Sequence, residues 1–294
     1  AIKTAGVIRI ATDPNYAPYS FLDTESGEYD GFDTSVAKMI AAALEVDIEW
    51  VTPTWDELTA GNWGGRWDIS VGSMAQTEAR TKVIDFSEPY YYAQATIAVP
   101  QDSTAMSLAD LNGLTACVGS STIYEKWLAG ELAGETLVTV NTPMTLTGVT
   151  VQTEETDNLC IEGLSAGRTW DFFIQSKDFI ANSIATLEAA AEDGVAPIKV
   201  MDPTLVLTTE KISVALDKGS DGADPALLAE INRIIALGPD NRTAFAQKRQ
   251  SGKGTRREKM LLRHTEMIAL KPQSRNNARL VIGMDDHADS GGLA

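Results

Sequence analysis

The chain has 294 residues, 44% hydrophobic and 22% charged, with 23 Gly and 11 Pro, and its length allows one large domain or two modest ones. This composition excludes collagen, coiled coil and wholesale disorder, and no apolar run approaches the roughly eighteen residues of a membrane-spanning helix. The net charge of −17 argues against nucleic acid, whose affinity for proteins comes from basic groups that displace counterions, so a small solute or a protein is the expected partner.

The charge is unevenly spread. Residues 1–241 hold 13 basic and 36 acidic side chains, whereas residues 242–294 hold 11 and 5. The chain opens at Ala1 with no charged-then-apolar leader, as expected of a mature soluble chain whose signal peptide has been removed.

In chain order, the apolar run at 7–11 predicts a buried strand that ends at the turn-rich Asp13-Pro14-Asn15. Phe32, Val36, Ile40 and Leu44 recur every fourth residue and predict a helix, with Asp33 placed to cap it. A strand at 47–51, a short helix at 55–60 and a strand at 68–71 follow, and this alternating order implies a mostly parallel sheet. The β-rich stretch 90–99 leaves this first unit. A second α/β series then runs through strands at 115–118, 137–140, 171–174 and 198–201 and helices at 121–128, 156–166 and 178–191. Residues 211–216 alternate again as a strand, and 224–237 form a helix capped by Asp224 with Pro225 at its first position. Beyond Asn241 the apolar periodicity weakens, leaving one basic amphipathic helix at 259–270 and a frayed end.

Cys117 and Cys160 are the only cysteines, and both histidines, His264 and His287, lie in the basic tail. Neither a zinc set nor another metal site can be assembled from them, and no cofactor is expected. The two thiols read equally well as one disulfide in an exported chain or as two buried free cysteines.

TDPNYAPYSF (12–21), GEYDGFDTSVAKMIA (27–41), GGRWDISVGSMAQTEARTKVIDFSEPYY (64–91) and VGSSTIYEKW (118–127) carry a specific signal. Through these segments the chain resembles the family-3 periplasmic solute-binding proteins of amino-acid ABC transporters, densely from Ile8 to Val99, more thinly to Lys218, and not beyond about Ile235. The resemblance implies a two-lobed α/β fold, each lobe a mostly parallel sheet flanked by helices, with two hinge strands. Lobe 1 would comprise 1–97 and 211–294, its tail from about 238 divergent, and lobe 2 would comprise 98–210. Ligand would bind between the lobes, and closure would bury it.

The same resemblance places the site. Arg80 would clamp an α-carboxylate, because a guanidinium presents two parallel donors that match both oxygens. Its plain alternative is a surface arginine paired with Glu78 or Asp85. Gly72 and Ser73 follow a strand's carboxyl end, where α/β sheets place ligands, and Gly72 would let the main chain approach closely. Ala75 stands where many relatives carry a hydroxyl. Ser120, Ser121 and Thr122 precede a helix and would offer amides and hydroxyls from lobe 2, although a capping role alone also explains them.

Tyr16 would cover the ligand's side chain. Asp13 matches a position that some relatives use toward a cationic side chain, but a turn role suits it better. Trp55 would wall the cleft. Six tryptophans also keep a betaine-type ligand in view, since aromatic walls hold quaternary ammonium groups. The main departure is Ser176, where amino-acid binders usually carry the aspartate that pairs the ligand's ammonium; Gln175 or Asp178 would have to substitute.

The expected function is therefore non-enzymatic: a monomeric extracytoplasmic, typically periplasmic, receptor that captures an amino acid or related zwitterion and delivers it to a membrane ABC permease. Residues 1–241 supply no histidine base, and no catalytic residue is assigned. The alternatives are an enzyme like the cyclohexadienyl dehydratases on the same fold, and a sensor domain. The tail lacks the closing tryptophan of relatives, which suggests a divergent extension or an altered reading frame.

Overall fold

A computed structural model describes residues 1–167, 170–219 and 223–237. The helix expected at 259–270 and the rest of the tail lie outside the described residues. A short turn of helix, α1 (Ile2–Ala5), leads into β1 (Val7–Ala11). A small antiparallel sheet follows, made of β2 (Asn15–Tyr16), β3 (Ser20–Asp23) and β4 (Glu28–Asp30). Next come α2 (Phe32–Leu44), β5 (Asp47–Val51), α3 (Trp55–Ala60), β6 (Ile69–Ser70) and the long β7 (Ile84–Pro100). The second series is β8 (Thr115–Gly119), α4 (Ile123–Leu128), β9 (Val138–Val140), β10 (Thr150–Glu154), α5 (Asp157–Ser165), β11 (Phe172–Ser176), α6 (Lys177–Ala190) and β12 (Ile198–Val200). The return is β13 (Thr208–Asp217) and α7 (Pro225–Ala236).

The main sheet runs β10-β8-β11-β7-β13-β6-β1-β5. At one end β5, β1 and β6 are parallel; at the other β10, β8 and β11 are parallel. Two long antiparallel strands join these halves. β7 pairs β13 through its first part and β11 and β12 through its last residues, so one strand belongs to both halves. This is the two-lobed α/β arrangement with two connecting strands. The stretch 90–99 was expected as a strand, but pairing with β13 carries β7 back to Ile84. The β13 ladder shifts register around Ser213, where Val214 N–H turns to the Ser87 hydroxyl instead.

Most elements form where the apolar pattern placed them. α2 buries Val36, Ala37, Ile40 and Leu44 against the sheet, and α7 begins at Asp224, whose carboxylate accepts from the Ala226 and Leu227 amides. One expectation is corrected: Asp33 does not cap α2. Gly31 holds the cap position, and the fully buried Asp33 carboxylate accepts from Tyr90 Oη and Ser73 Oγ, both at 2.7 Å. Gly31 is irreplaceable there, because at φ 116° a Cβ would lie 2.4 Å from the Tyr19 carbonyl oxygen. The strand expected at 68–71 shrinks to β6, since Asp68 turns its carboxylate onto the Arg9 guanidinium at 2.7 Å.

Cys117 of β8 and Cys160 of α5 form a disulfide with their Cα atoms 5.6 Å apart, which decides the alternative that the sequence leaves open. Trp63, Trp67, Met74 and Ile84 form a second, smaller core with Ala11 of β1 and Leu58 of α3. No helix among the described residues is long and apolar enough to cross a membrane.

Candidate functional site

A cleft opens between the two halves. It encloses about 780 Å³ including space open to solvent, within the range of small-molecule sites. Of the residues named from sequence, Asp13, Tyr16, Trp55, Gly72, Ser73, Ala75, Arg80, Ser120, Thr122 and Gln175 line it. Ser121 and Ser176 do not.

Arg80 sits in a single 3-10 turn after β6, its amide bonded to the Thr77 hydroxyl, and only 5% of it is exposed. Nη1 donates to the Ala75 carbonyl at 2.9 Å and Nη2 to the Ser121 carbonyl at 3.0 Å. Two of five donors are thus used, and the guanidinium also lies 5.1 Å from the Trp55 ring centre. Burial pulls its pKa down to about 10, while the charge of Glu210 opposes that shift, so the group stays cationic at neutral pH. The surface reading, a pair with Glu78 or Asp85, is corrected: Asp85 pairs with Lys218, and Arg80 points inward.

Ser73, not Gly72, carries the unusual backbone, with φ 54°. A Cβ at Gly72 would meet only ordinary contacts, so close approach is not what requires glycine there. The Ser73 hydroxyl is committed to Asp33 and lies 2.7 Å from Tyr91 Oη. Ser121 is also left-handed, at φ 55°, and its carbonyl accepts from both Arg80 and Trp55 Nε1 while the residue faces a neighbouring groove. Thr122 caps α4 by accepting from Glu125 N–H, and Ser120 reaches Asp56 across the cleft. Asp13 makes the turn expected of it, accepting from Asn15 N–H at 2.7 Å, and also lines the cleft. Partial desolvation raises its pKa.

Ser176 is a helix cap: its hydroxyl accepts from Phe179 N–H, and the residue is 2% exposed. Asp178 accepts from Tyr19 Oη instead of lining the cleft. Gln175 does line it, and donates to Asp157 Oδ2 at 2.7 Å. Tyr16 stacks between Tyr19 and Phe179, at 5.4 and 5.0 Å. Of the six tryptophans only Trp55 lines the cleft; Trp63, Trp67, Trp127 and Trp170 are core.

Several wall residues escape the sequence reading, chiefly Tyr124, Asp157 and Glu210. Glu210 lies on β13, 2% exposed, and accepts from Thr208 Oγ1 at 2.6 Å and Tyr124 Oη at 3.4 Å. Burial pushes its pKa up to about 7 against those hydrogen bonds and the Arg80 charge. Asp157, at the start of α5, is pushed up to about 7, mainly by burial and further by the charge of Asp13, with the Gln175 bond opposing. Glu210, beside Thr208, Thr209 and Lys211 in the polar opening of β13, carried no local signal. Asp157 had none either, because an acid in a helix's first turn is commonplace.

The two halves meet across the cleft. Besides the bonds to the Ser121 carbonyl, Asn158 Nδ2 donates to the Asn15 carbonyl, and Tyr19 Oη donates to Asp178 at 3.1 Å. This is a closed arrangement.

The family model of the bacterial extracellular solute-binding proteins, family 3, matches residues 8–247, and the chain belongs to that family. The match runs past Ile235, where the resemblance read from sequence ends. The L-cystine-binding protein TcyJ of Escherichia coli K12 is 26% identical over 80% of this chain and 78% of its own. The arginine-bound form of truncated ArgBP from T. maritima superposes with a TM-score of 0.65 at 26% identity, over 80% of this chain and 98% of that one. The ancestral amino acid-binding protein AncCDT-1, described as a precursor of cyclohexadienyl dehydratase, gives 0.64 at 27%, over 84% and 96%.

Proposed function

We propose that the chain is an extracytoplasmic receptor that captures an amino acid or related zwitterion between a lobe of residues 1–97 and 211–294 and a lobe of residues 98–210. It acts as a monomer, catalyses no reaction, and hands the ligand to an ABC permease. The observation that carries this reading is Arg80: a fully charged guanidinium, buried in a closed cleft, with donors left over for a carboxylate. A cation kept there without an anionic guest would be costly, so the site suits a ligand that supplies the anion. The named ligands of relatives, cystine and arginine, are both α-amino acids.

The test is a thermal-shift and calorimetric panel on chain unfolded and refolded to strip carried-over ligand, covering the standard amino acids, L-cystine, glycine betaine and prephenate. A true ligand at a hundredfold excess over its Kd raises stability by about 2.7 kcal/mol. Arg80→Ala lowers its affinity by on the order of 2–5 kcal/mol, the cost of truncating one side of a buried charge pair. A binding curve unchanged by that substitution removes Arg80 from the site, and turnover of prephenate replaces the receptor with an enzyme.

A further inference from the structure

Ser176 does not pair the ligand's ammonium, because the residue is off the cleft wall and its hydroxyl carries no countercharge. We infer that Asp157 takes that part: it is the carboxylate that receives an N–H-bearing cationic group of the ligand. This rests on the receptor reading above.

Three observations converge on this oxygen. Asp157 lines the cleft; its Oδ1 is sealed from solvent and makes no geometrically sound hydrogen bond, only the pull of the nearby Gly119 amide, whereas Oδ2 is held by Gln175. The Gln175 amide is itself fixed, since its Oε1 accepts from Ser176 N–H at 2.6 Å, leaving Nε2 to hold Asp157. Capping does not explain the residue: Thr156 holds the cap position of α5, and Asp157 turns toward β11 instead. An orphaned buried acceptor is expensive, and its location at a ligand cleft is what resolves the cost. Space is kept for it by Gly119, where a Cβ would lie 2.9 Å from Oδ1.

The second argument concerns closure. Asp13 comes from the lobe that carries β1 and Asp157 from the lobe that carries α5. In the closed arrangement Asp13 is exposed and Asp157 half-buried, and the charge of Asp13 bears on Asp157. Their neighbours Asn15 and Asn158 are bonded directly. Closing the empty cleft thus brings like charges together, and a cation between them turns that repulsion into attraction. The ligand's cation therefore favours the closed form, which is the differential interaction a closing receptor needs. The chemistry also chooses among cations. Oδ1 lacks a donor, and a quaternary ammonium brings none, so a primary ammonium or guanidinium satisfies it and a betaine does not.

The experiment uses the full chain, stripped by refolding and titrated calorimetrically with each standard amino acid, L-cystine and glycine betaine. Asp157→Asn keeps the shape and removes the charge. The amino acid that binds wild type most tightly should lose at least about thirtyfold in affinity, its 2-hydroxy analogue or side-chain-neutral analogue should lose little, and the variant's ligand-free Tm should not fall. Gly119→Ala, which sets a methyl against Oδ1, gives an independent arm with the same expected loss. Equal affinity of wild type and Asp157→Asn overturns the assignment while leaving the receptor intact. Tight binding of betaine overturns the N–H requirement. Wild type binding no amino acid at all overturns both the receptor reading and this one.

Discussion

Arg80 and Asp33 show how burial sets the behaviour of single residues. Arg80 donates to two main-chain carbonyls and lies over an aromatic face, with the charge of Glu210 opposing the effect of burial at a distance and no carboxylate bonded to it directly, which leaves donors available to a guest. Asp33 lies deeper, satisfied by Ser73 and Tyr90 and with Tyr91 adjoining Ser73. Burial raises its pKa to about 6, while the Ser73 and Tyr90 bonds hold it down and the charge of Asp13 adds a little. A carboxyl raised in the folded state binds its proton more tightly there than in the unfolded chain. Its stabilising contribution is therefore full below the unfolded value near 4 and is lost as pH rises through about 6. The shift of roughly two units corresponds to about 3 kcal/mol at most. Asp157 and Glu210, at about 7, extend the same trend upward. The ligand-free chain should melt higher at pH 5 than at pH 7.5, and Asp33→Asn should flatten the slope between pH 4 and 6. Thermal unfolding against pH reads both, and a wild-type profile rising toward pH 7.5 would contradict the assignment.

Among the elements, α5 is the one whose position the cleft most depends on, since Asp157 opens it. Cys160 ties its middle to Cys117 of β8, and Trp170 closes over it, donating to the Cys160 carbonyl. Gly163 lets that ring lie flat, because a Cβ there would sit 1.8 Å from Trp170 Cζ2. The disulfide spans 43 positions, and chain-entropy reasoning gives such a loop about 4 kcal/mol. Reduction should lower the denaturation midpoint by up to that amount. It should weaken ligand binding more than its effect on the folding of the half that carries β8 and α5 alone predicts, because Gly119 and Asp157 lie two and three positions from the half-cystines. Chemical denaturation with and without reductant, paired with titration, measures both.

At the scale of the whole molecule, β7 and β13 are, among the described residues, the long strands shared by the two parallel halves, and they provide the place for a hinge. The contacts between the two halves are mixed: Arg80 and Trp55 onto the Ser121 carbonyl, Ser120 onto Asp56, Thr136 onto Glu78, Asn158 onto Asn15, Tyr19 onto Asp178, and Tyr16 stacked on Phe179. Tyr19→Phe removes one bond to a charged acceptor from the closed form alone. Ligand affinity should fall by roughly tenfold with little change in ligand-free stability. Small-angle scattering should show wild type contracting on ligand addition, and the absence of contraction would argue against a hinge.

The order of strands and helices, the cap at Asp224 and about half of the cleft wall were legible in the sequence, because periodicity and local motifs act over a few residues. Arg80, Tyr16, Ser120 and Thr122 were placed on the cleft by motif, and they are there. The small sheet of β2, β3 and β4 and the strand β10 were not legible, since they are short and polar and exist only by pairing with distant partners. Asp33 misled for the same reason: locally it looks like a cap, and only the return of β7 brings Tyr90 to its carboxylate. The choice between thiols and a disulfide, the loss of Ser121 and Ser176 from the wall, and the arrival of Glu210 and Asp157 on it were decided by tertiary structure. The sequence set which elements form and which chemistry it carries. Which buried groups are satisfied and which are left facing the cleft depends on residues 40 to 160 positions apart meeting, and no local pattern encodes that.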